Sequence, residues 1–285
     1  MIPKDPAHSV FSQSSGRLTV NCSIMLTDLP LLERPAAAAK AGFDAVEFWW
    51  PFDSPVPGDR EVDAFLRSVA EAGVRLTGLN FYAGNMAAGE RGVLSSPSRS
   101  ADFRSSLETA AGIARLTGCR GFNALYGLPE EGVSPPARAG CAVENLAAAA
   151  DAVAGLGGTV LIEPLSGLPG YPVRTAADGL AVVGRVREAG RENVALLADF
   201  YHLAVNAEDL PALITAYAAD FGHIQLADAP GRGAPGTGSL PLAEWTEAAV
   251  ASGYSGLISL EYKSPSTEAF TWLAPYRDAA PEHQP

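Results

Sequence analysis

A chain of 285 residues, 47% of them hydrophobic, can bury a sizeable core as one large α/β barrel or as two smaller domains. Its formal net charge of -12 argues against a broad nucleic-acid-binding or anionic-membrane-binding surface. The three cysteines, Cys22, Cys119 and Cys141, are widely spaced and form no CxxC pair, which indicates neither a disulfide framework nor a zinc knuckle and fits a reducing compartment.

The leading segment MIPKDPAHSVFSQSSGR has no apolar stretch of signal-peptide type, and no run long enough to span a membrane follows it. A cytoplasmic protein is expected, with residues 1–16 as a flexible N-terminal tail and 279–285 as a flexible C-terminal one. His8 and His283 fall in those tails, leaving His202 and His223 as the candidate working histidines. Strands are then predicted at LTVNCS (18–23), AVEFWW (45–50), RLTGLNF (75–81), GFNALY (121–126), TVLIEP (159–164), VALLADF (194–200), GHIQLAD (222–228) and LISLEY (257–262). Helical periodicity lies between them in LLERPAAAAKAG, REVDAFLRSVAEAG, ADFRSSLETAAGIARLTG, ARAGCAVENLAAAADAVAGLG, TAADGLAVVGRVREAG and PLAEWTEAAVASG. Gly42, Gly73 and Gly253 each stand between the end of a helical segment and an apolar residue, as a left-handed cap leading into a strand would. Eight strands alternating with helices imply a single (β/α)8 TIM barrel over 17–278. A doubly wound sheet is disfavoured because no GxGxxG opens the first helix.

A barrel carries its chemistry at the C-terminal ends of its strands. In VLIEPLSGLPGY the fifth strand ends on Glu163; an isolated glutamate there would read as an edge residue opening a loop. The sixth strand ends on Asp199 in LLADFYH, the seventh carries Gln225 in GHIQLAD, and the eighth ends on Glu261 in ISLEYK. These residues are 36, 26 and 36 positions apart, each about one βα unit. Three carboxylates converging on one mouth would repel strongly, whereas a divalent cation turns that repulsion into coordination. A ligand set made only of hard oxygens suits Mg2+ or Mn2+ better than zinc or copper.

With these residues in place, the chain resembles the hydroxypyruvate isomerase family of the xylose-isomerase-like TIM barrels. The likeness is carried nearly end to end by NCSIMLTDLPLLERPAAAAKAGFDAVEFWWPF, AAGERG, LIEPLSGLPGY, ADFYHL, GHIQLADAPGR with PGTG, and GYSGLISLEYK. The resemblance implies a metal on Glu163, Asp199, Gln225 and Glu261, with the two glutamates as the proton-transferring pair. It implies metal-assisted aldose-ketose isomerisation through an enediolate, interconverting hydroxypyruvate and tartronate semialdehyde. His202, three residues past Asp199, resembles the substrate-contacting histidine of related sugar epimerases. Where relatives usually continue Tyr-Arg after the last glutamate, this chain has Tyr262-Lys263.

An anionic substrate needs local cations, and Arg91, Arg232 and Lys263 follow strands three, seven and eight on the catalytic side. His223 and Glu47 read as hydrogen-bonded barrel residues. APGRGAPGTGS lacks the Gly-Lys-Ser/Thr of a phosphate loop and reads as a mobile lid or a loop of close approach. FWWPF (Phe48 to Phe52) reads as a pocket wall or a subunit contact, which leaves a homo-oligomer open. The expected partner is a small 2-oxo acid or sugar-like molecule, with neither nucleic acid nor membrane. A 2-oxo-tetronate isomerase or ketose 3-epimerase could use the same ligands. A non-catalytic sugar-acid-binding barrel would be expected to lose one of them, and an endonuclease would require more histidines and a basic groove.

Overall fold

All eight predicted strands form: β1 (Leu18–Asn21), β2 (Ala45–Phe48), β3 (Arg75–Asn80), β4 (Gly121–Asn123), β5 (Thr159–Ile162), β6 (Val194–Asp199), β7 (Phe221–Leu226) and β8 (Ile258–Leu260). In this computed structural model, which describes residues 10–12 and 16–276, they pair in parallel and in chain order, and β8 closes on β1. Helices α1 (Arg34–Lys40), α2 (Asp59–Ala72), α3 (Ser100–Thr117), α4 (Pro135–Ala154) and α5 (Ala176–Glu188) follow the first five strands, and α8 (Leu242–Ala251) precedes β8. The three predicted caps adopt positive φ, 95° at Gly42, 69° at Gly73 and 105° at Gly253.

Two helices fall where no helical run was singled out, α6 (Phe200–Val205) and α7 (Leu210–Tyr217). They are short and are started by aspartate caps: Asp199 accepts from the N–H groups of Tyr201 and His202, and Asp209 from that of Ala212. The first of these caps is also a candidate ligand, so the strand end and the helix start are one residue.

Register places the site. Val20 lies beside Val46 and Leu260, and Phe122 beside Leu79 and Val160, forming a buried apolar layer. One residue further along, Asn21 is paired with Glu47, Asn80 with Asn123, and Asp199 with Gln225. Side chains alternate along a strand, so this second set turns toward the barrel interior.

Part of the expected N-terminal tail belongs to the folded body. Phe11 is buried, with its ring 5.2 Å from Trp272 and 5.4 Å from Tyr276 in edge-on contacts, an arrangement that aromatic quadrupoles favour. Residues 1–9 and 277–285, including His8 and His283, lie outside the described residues. Among the described residues, no helix is long and apolar enough to cross a membrane.

Candidate active site

Each of the four candidate ligands is tied down at one end; at the other, Asp199 Oδ2 and Glu261 Oε1 meet Arg232 Nη2, whereas Gln225 Oε1 has no partner. Asp199 spends Oδ1 on capping α6, at 2.8 Å from the Tyr201 N–H and 3.3 Å from that of His202, so Oδ2 faces the mouth. Glu163, the first residue past β5, accepts at Oε2 from Asn123 Nδ2 at 2.6 Å. Glu261, the first past β8, accepts at Oε2 from Asn21 Nδ2 at 2.8 Å. Gln225 donates Nε2 to Glu47 Oε1 at 3.2 Å, and its own Oε1 is buried with no hydrogen-bond partner. None of the four is more than 4% exposed.

The electrostatics suit a cation. Burial raises the Glu163 carboxyl to about 8, with Asp199 adding to the rise and Arg232 and Asn123 opposing it. Burial likewise pushes Glu261 well above the carboxylate range; Arg232 opposes this, while Glu163 and Asp199 reinforce it. A buried acceptor without a donor, such as Gln225 Oε1, costs about 1–3 kcal/mol. A hard divalent cation would satisfy that oxygen and relieve the carboxylate repulsion together, so these residues fit the group.

His202 belongs to the same cluster. One ligand atom each from Glu163, Asp199 and His202 lie within 4.8 Å of one another. Its Nδ1, however, stands 3.0 Å from the Ser166 backbone nitrogen, whose N–H can only donate. Nδ1 is therefore the acceptor, which assigns the proton to Nε2. Burial lowers the ring's pKa to about 4 against the pull of Asp199, so its approaches of 3.8 Å to Glu163 and 3.6 Å to Asp199 are not ion pairs. A neutral ring with its proton on Nε2 offers the cavity a donor, not a ligand lone pair.

Glu163, Glu261, His202, Arg232, Lys263 and Arg91 all line one cavity of about 500 Å³, beside Trp49 from the FWWPF cluster. A larger cleft of about 890 Å³, bordered by Tyr126, Arg138 and Arg185, holds none of them. Arg232, expected as a local cation for the substrate, also contacts the acidic cluster itself. Its backbone is left-handed (φ 57°) next to Gly231 (φ 100°), and its Nη2 contacts Asp199 Oδ2 at 3.3 Å and also Glu261 Oε1. Its guanidinium carbon lies 5.5 Å from the centre of the Tyr201 ring, within cation–π range. Arg91 is braced by the carbonyls of Met86 and Glu90, and the Lys263 side chain makes no ion pair among the described residues.

His223 and Glu47 are hydrogen-bonded barrel residues as expected, 2.9 Å apart and joined by Ser259 and Gln225. The glycine-rich loop after β7 proves to be organised. Asp228, fully buried, accepts from the N–H groups of Ala229, Gly236, Gly238 and Leu240, so those donors cannot cradle a phosphate. This favours the loop of close approach over the mobile lid.

The sequence matches the family described as Xylose isomerase-like TIM barrel over residues 35–282. The chain belongs to that family. A protein of Streptomyces coelicolor named "Putative hydroxypyruvate isomerase" is 51% identical over 90% of this chain and 95% of its own length. A 2-oxo-tetronate isomerase of Cupriavidus necator is 35% identical over 91% of this chain and 98% of its own. Among solved structures, that of an AP endonuclease, family 2, from Brucella melitensis superposes with a TM-score of 0.82 at 34% identity, over 92% of this chain and 99% of its own. With relatives of this identity and coverage, this xylose isomerase-like barrel is an enzyme of the isomerase type.

Four residues that support the site were not singled out in the sequence: Asn21, Asn123, Ser166 and Asp228. The two asparagines close β1 and β4 and carry the same signal as the carboxylates, a polar residue ending an apolar strand. Nothing local marks Ser166.

Proposed function

We propose that this isomerase interconverts hydroxypyruvate and tartronate semialdehyde, with one Mg2+ or Mn2+ held by Glu163, Asp199, Gln225 and Glu261. The observation that carries this is that four side chains on consecutive strands are each fixed at one end by a neighbour, with Gln225 Oε1 buried and unpartnered and a single positive group, Arg232, already drawn to Asp199 Oδ2 and Glu261 Oε1. When bound, the cation supplies charge stabilisation to the two oxygens of an α-hydroxycarbonyl as a proton leaves carbon. Glu163 and Glu261 divide the proton work. One, ionised, removes the C–H proton of the hydroxymethyl carbon, and the other, protonated, gives a proton to the former carbonyl carbon. Between those steps the hydroxyl proton passes to the neighbouring oxygen, and the product is an isomer with no atom gained or lost. The raised pKa values of both glutamates support one of the pair holding a proton at neutral pH. His202 Nε2–H, 3.8 Å from Glu163 and 3.6 Å from Asp199, donates to a substrate oxygen in this reading. Arg232, Lys263 and Arg91 supply positive charge at the mouth of an acidic molecule, which suits a small anion better than a nucleic acid.

A 2-oxo-tetronate is the second candidate, favoured by the Cupriavidus necator relative and by a cavity of about 500 Å³, which leaves room for a longer chain. Turnover of hydroxypyruvate, 2-oxo-tetronates and ketohexoses should be measured with chelated and with Mn2+-reconstituted protein. Activity on a 2-oxo acid that is abolished by chelation and restored by Mn2+ or Mg2+ is expected. Full activity in exhaustively metal-free protein would overturn the metal assignment, and preference for a neutral ketohexose would overturn the substrate.

A further inference from the structure

Glu47 is a buried carboxylate outside the substrate cavity; with Asn21, His223 and Gln225 it borders a separate void of about 20 Å³. Four donors converge on the carboxylate: His223 Nε2 at 2.9 Å, Gln225 Nε2 at 3.2 Å, Asn21 Nδ2 at 3.4 Å and the Ser259 hydroxyl. The barrel is built around it. The β2–β3 register shifts between Val46 and Glu47, and facing it stands Gly78, where an added Cβ would come within 2.9 Å of the Glu47 Cβ. A side chain at 78 would collide with the carboxylate, so both strands are shaped to admit it.

One of these four donors, Gln225, is a proposed metal ligand, and another, Asn21, holds a second proposed ligand, Glu261. An ionised carboxylate accepts and cannot donate, so only the NH2 end of Gln225 can face Glu47, and Oε1 must point the other way. That oxygen is the one left buried and unpartnered. Asn21 is oriented in the same manner: its Oδ1 accepts from the Ser23 N–H at 3.0 Å, which turns Nδ2 toward Glu47 and, at 2.8 Å, toward Glu261 Oε2. We propose that Glu47 is a positioning residue for the cation, keying the Gln225 amide with its oxygen toward the metal and holding Glu261 through Asn21, a role that rests on the metal site proposed above.

The test is Mn2+ affinity, measured by calorimetry on the purified full chain without substrate, with circular dichroism as the check of folding. Glu47→Gln keeps the shape but introduces an NH2 group that can face Gln225, allowing that amide to turn over. Mn2+ should bind roughly 10- to 100-fold more weakly, the range for partners of metal ligands. The exchange variant E47Q/Q225E restores a donor facing an acceptor, with an oxygen toward the cation. It should recover affinity to within about threefold of the parent, a coupling that independent sites would not show. A merely structural role would predict additive loss in the double variant. If Glu47→Gln does not fold, Asn21→Ala leaves Glu47 in place and removes only its link to Glu261; Mn2+ binding should then weaken by about tenfold, at the lower end of the same range. Failure of the parent protein to bind Mn2+ would sink the metal site itself. A parent that binds, together with a folded Glu47→Gln or Asn21→Ala variant of equal affinity, would overturn the role of Glu47 alone.

Discussion

At the scale of single residues, the two glutamates differ from the other proposed ligands because each combines an oxygen tied to an asparagine with a raised pKa. Glu163→Gln and Glu261→Gln preserve size and one oxygen but cannot accept a proton. Each should lower turnover by at least ~10²-fold, while binding of a substrate analogue suffers much less. Near-normal turnover in either variant would reduce that residue to a ligand. Arg232 poses a different problem, since its guanidinium lies against two of the oxygens a cation would use. Its removal takes positive charge from the mouth and also frees Asp199 and Glu261. Arg232→Ala should therefore raise KM for a 2-oxo acid by about tenfold, or roughly 1.4 kcal/mol, and raise it less for a neutral ketose. Mn2+ affinity in the same variant should hold or improve. A parallel loss on charged and neutral substrates, with weaker Mn2+ binding, would instead mark Arg232 as a support for the loop.

At the scale of elements, the site depends on loops held to one another. Gly92, beside Arg91, forms an antiparallel bridge to Tyr126 in the loop after β4; its φ is 105°, and a Cβ there would lie 2.2 Å from the Leu125 carbonyl oxygen. Gly92→Ala should cost about 1–3 kcal/mol in stability through strain at a special backbone conformation. It should also raise KM by moving Arg91 off the cavity wall; chemical denaturation and steady-state kinetics read the two effects. The strands and their order were legible because apolar runs ending in a polar residue repeat along the chain, and the same repetition exposed Glu163, Asp199, Gln225 and Glu261. It runs further than those four, since Asn21, Asn80 and Asn123 close β1, β3 and β4. A neutral amide at a strand end carries little desolvation cost, so it signals less than a carboxylate until register shows what it touches. Helices α6 and α7 were obscured because their starts are aspartate side chains, one of them inside the strand signal itself. The proton on His202 was out of reach: it depends on Ser166, 36 positions away, through a contact only the closed barrel creates.

At the scale of the whole molecule, folding buries the acidic cluster, which links stability to both pH and metal. Glu163 has an ordinary pKa of 4.5 and is raised to about 8 in the fold, with Glu261 shifted the same way. Between those values the folded protein holds a proton that the unfolded chain has released, so stability falls as pH rises through that window. His202 runs the other way: lowered from 6.5 to about 4, it adds stability above 6.5 that is lost as pH falls toward 4. The two slopes oppose each other below pH 6.5, and between 6.5 and about 8 only the glutamates contribute. Metal-free protein should therefore lose thermal stability across that upper interval. A cation at the carboxylates takes the place of the proton, so Mn2+ should bind more tightly as pH rises and release protons as it does so. At 100 times its Kd it should stabilise the fold by about 2.7 kcal/mol. For a chain of this size that is a rise in Tm of roughly 5 °C or more, and if the Mn2+ concentration is set from the Kd at pH 6.5 and then held, the rise is larger at pH 8, where the Kd is lower. Differential scanning fluorimetry of chelated and Mn2+-saturated protein across that range provides the check. A metal-free Tm that climbs from pH 6.5 to 8, or a Tm indifferent to Mn2+ at pH 8, would show that these carboxylates do not titrate or coordinate as the buried cluster requires.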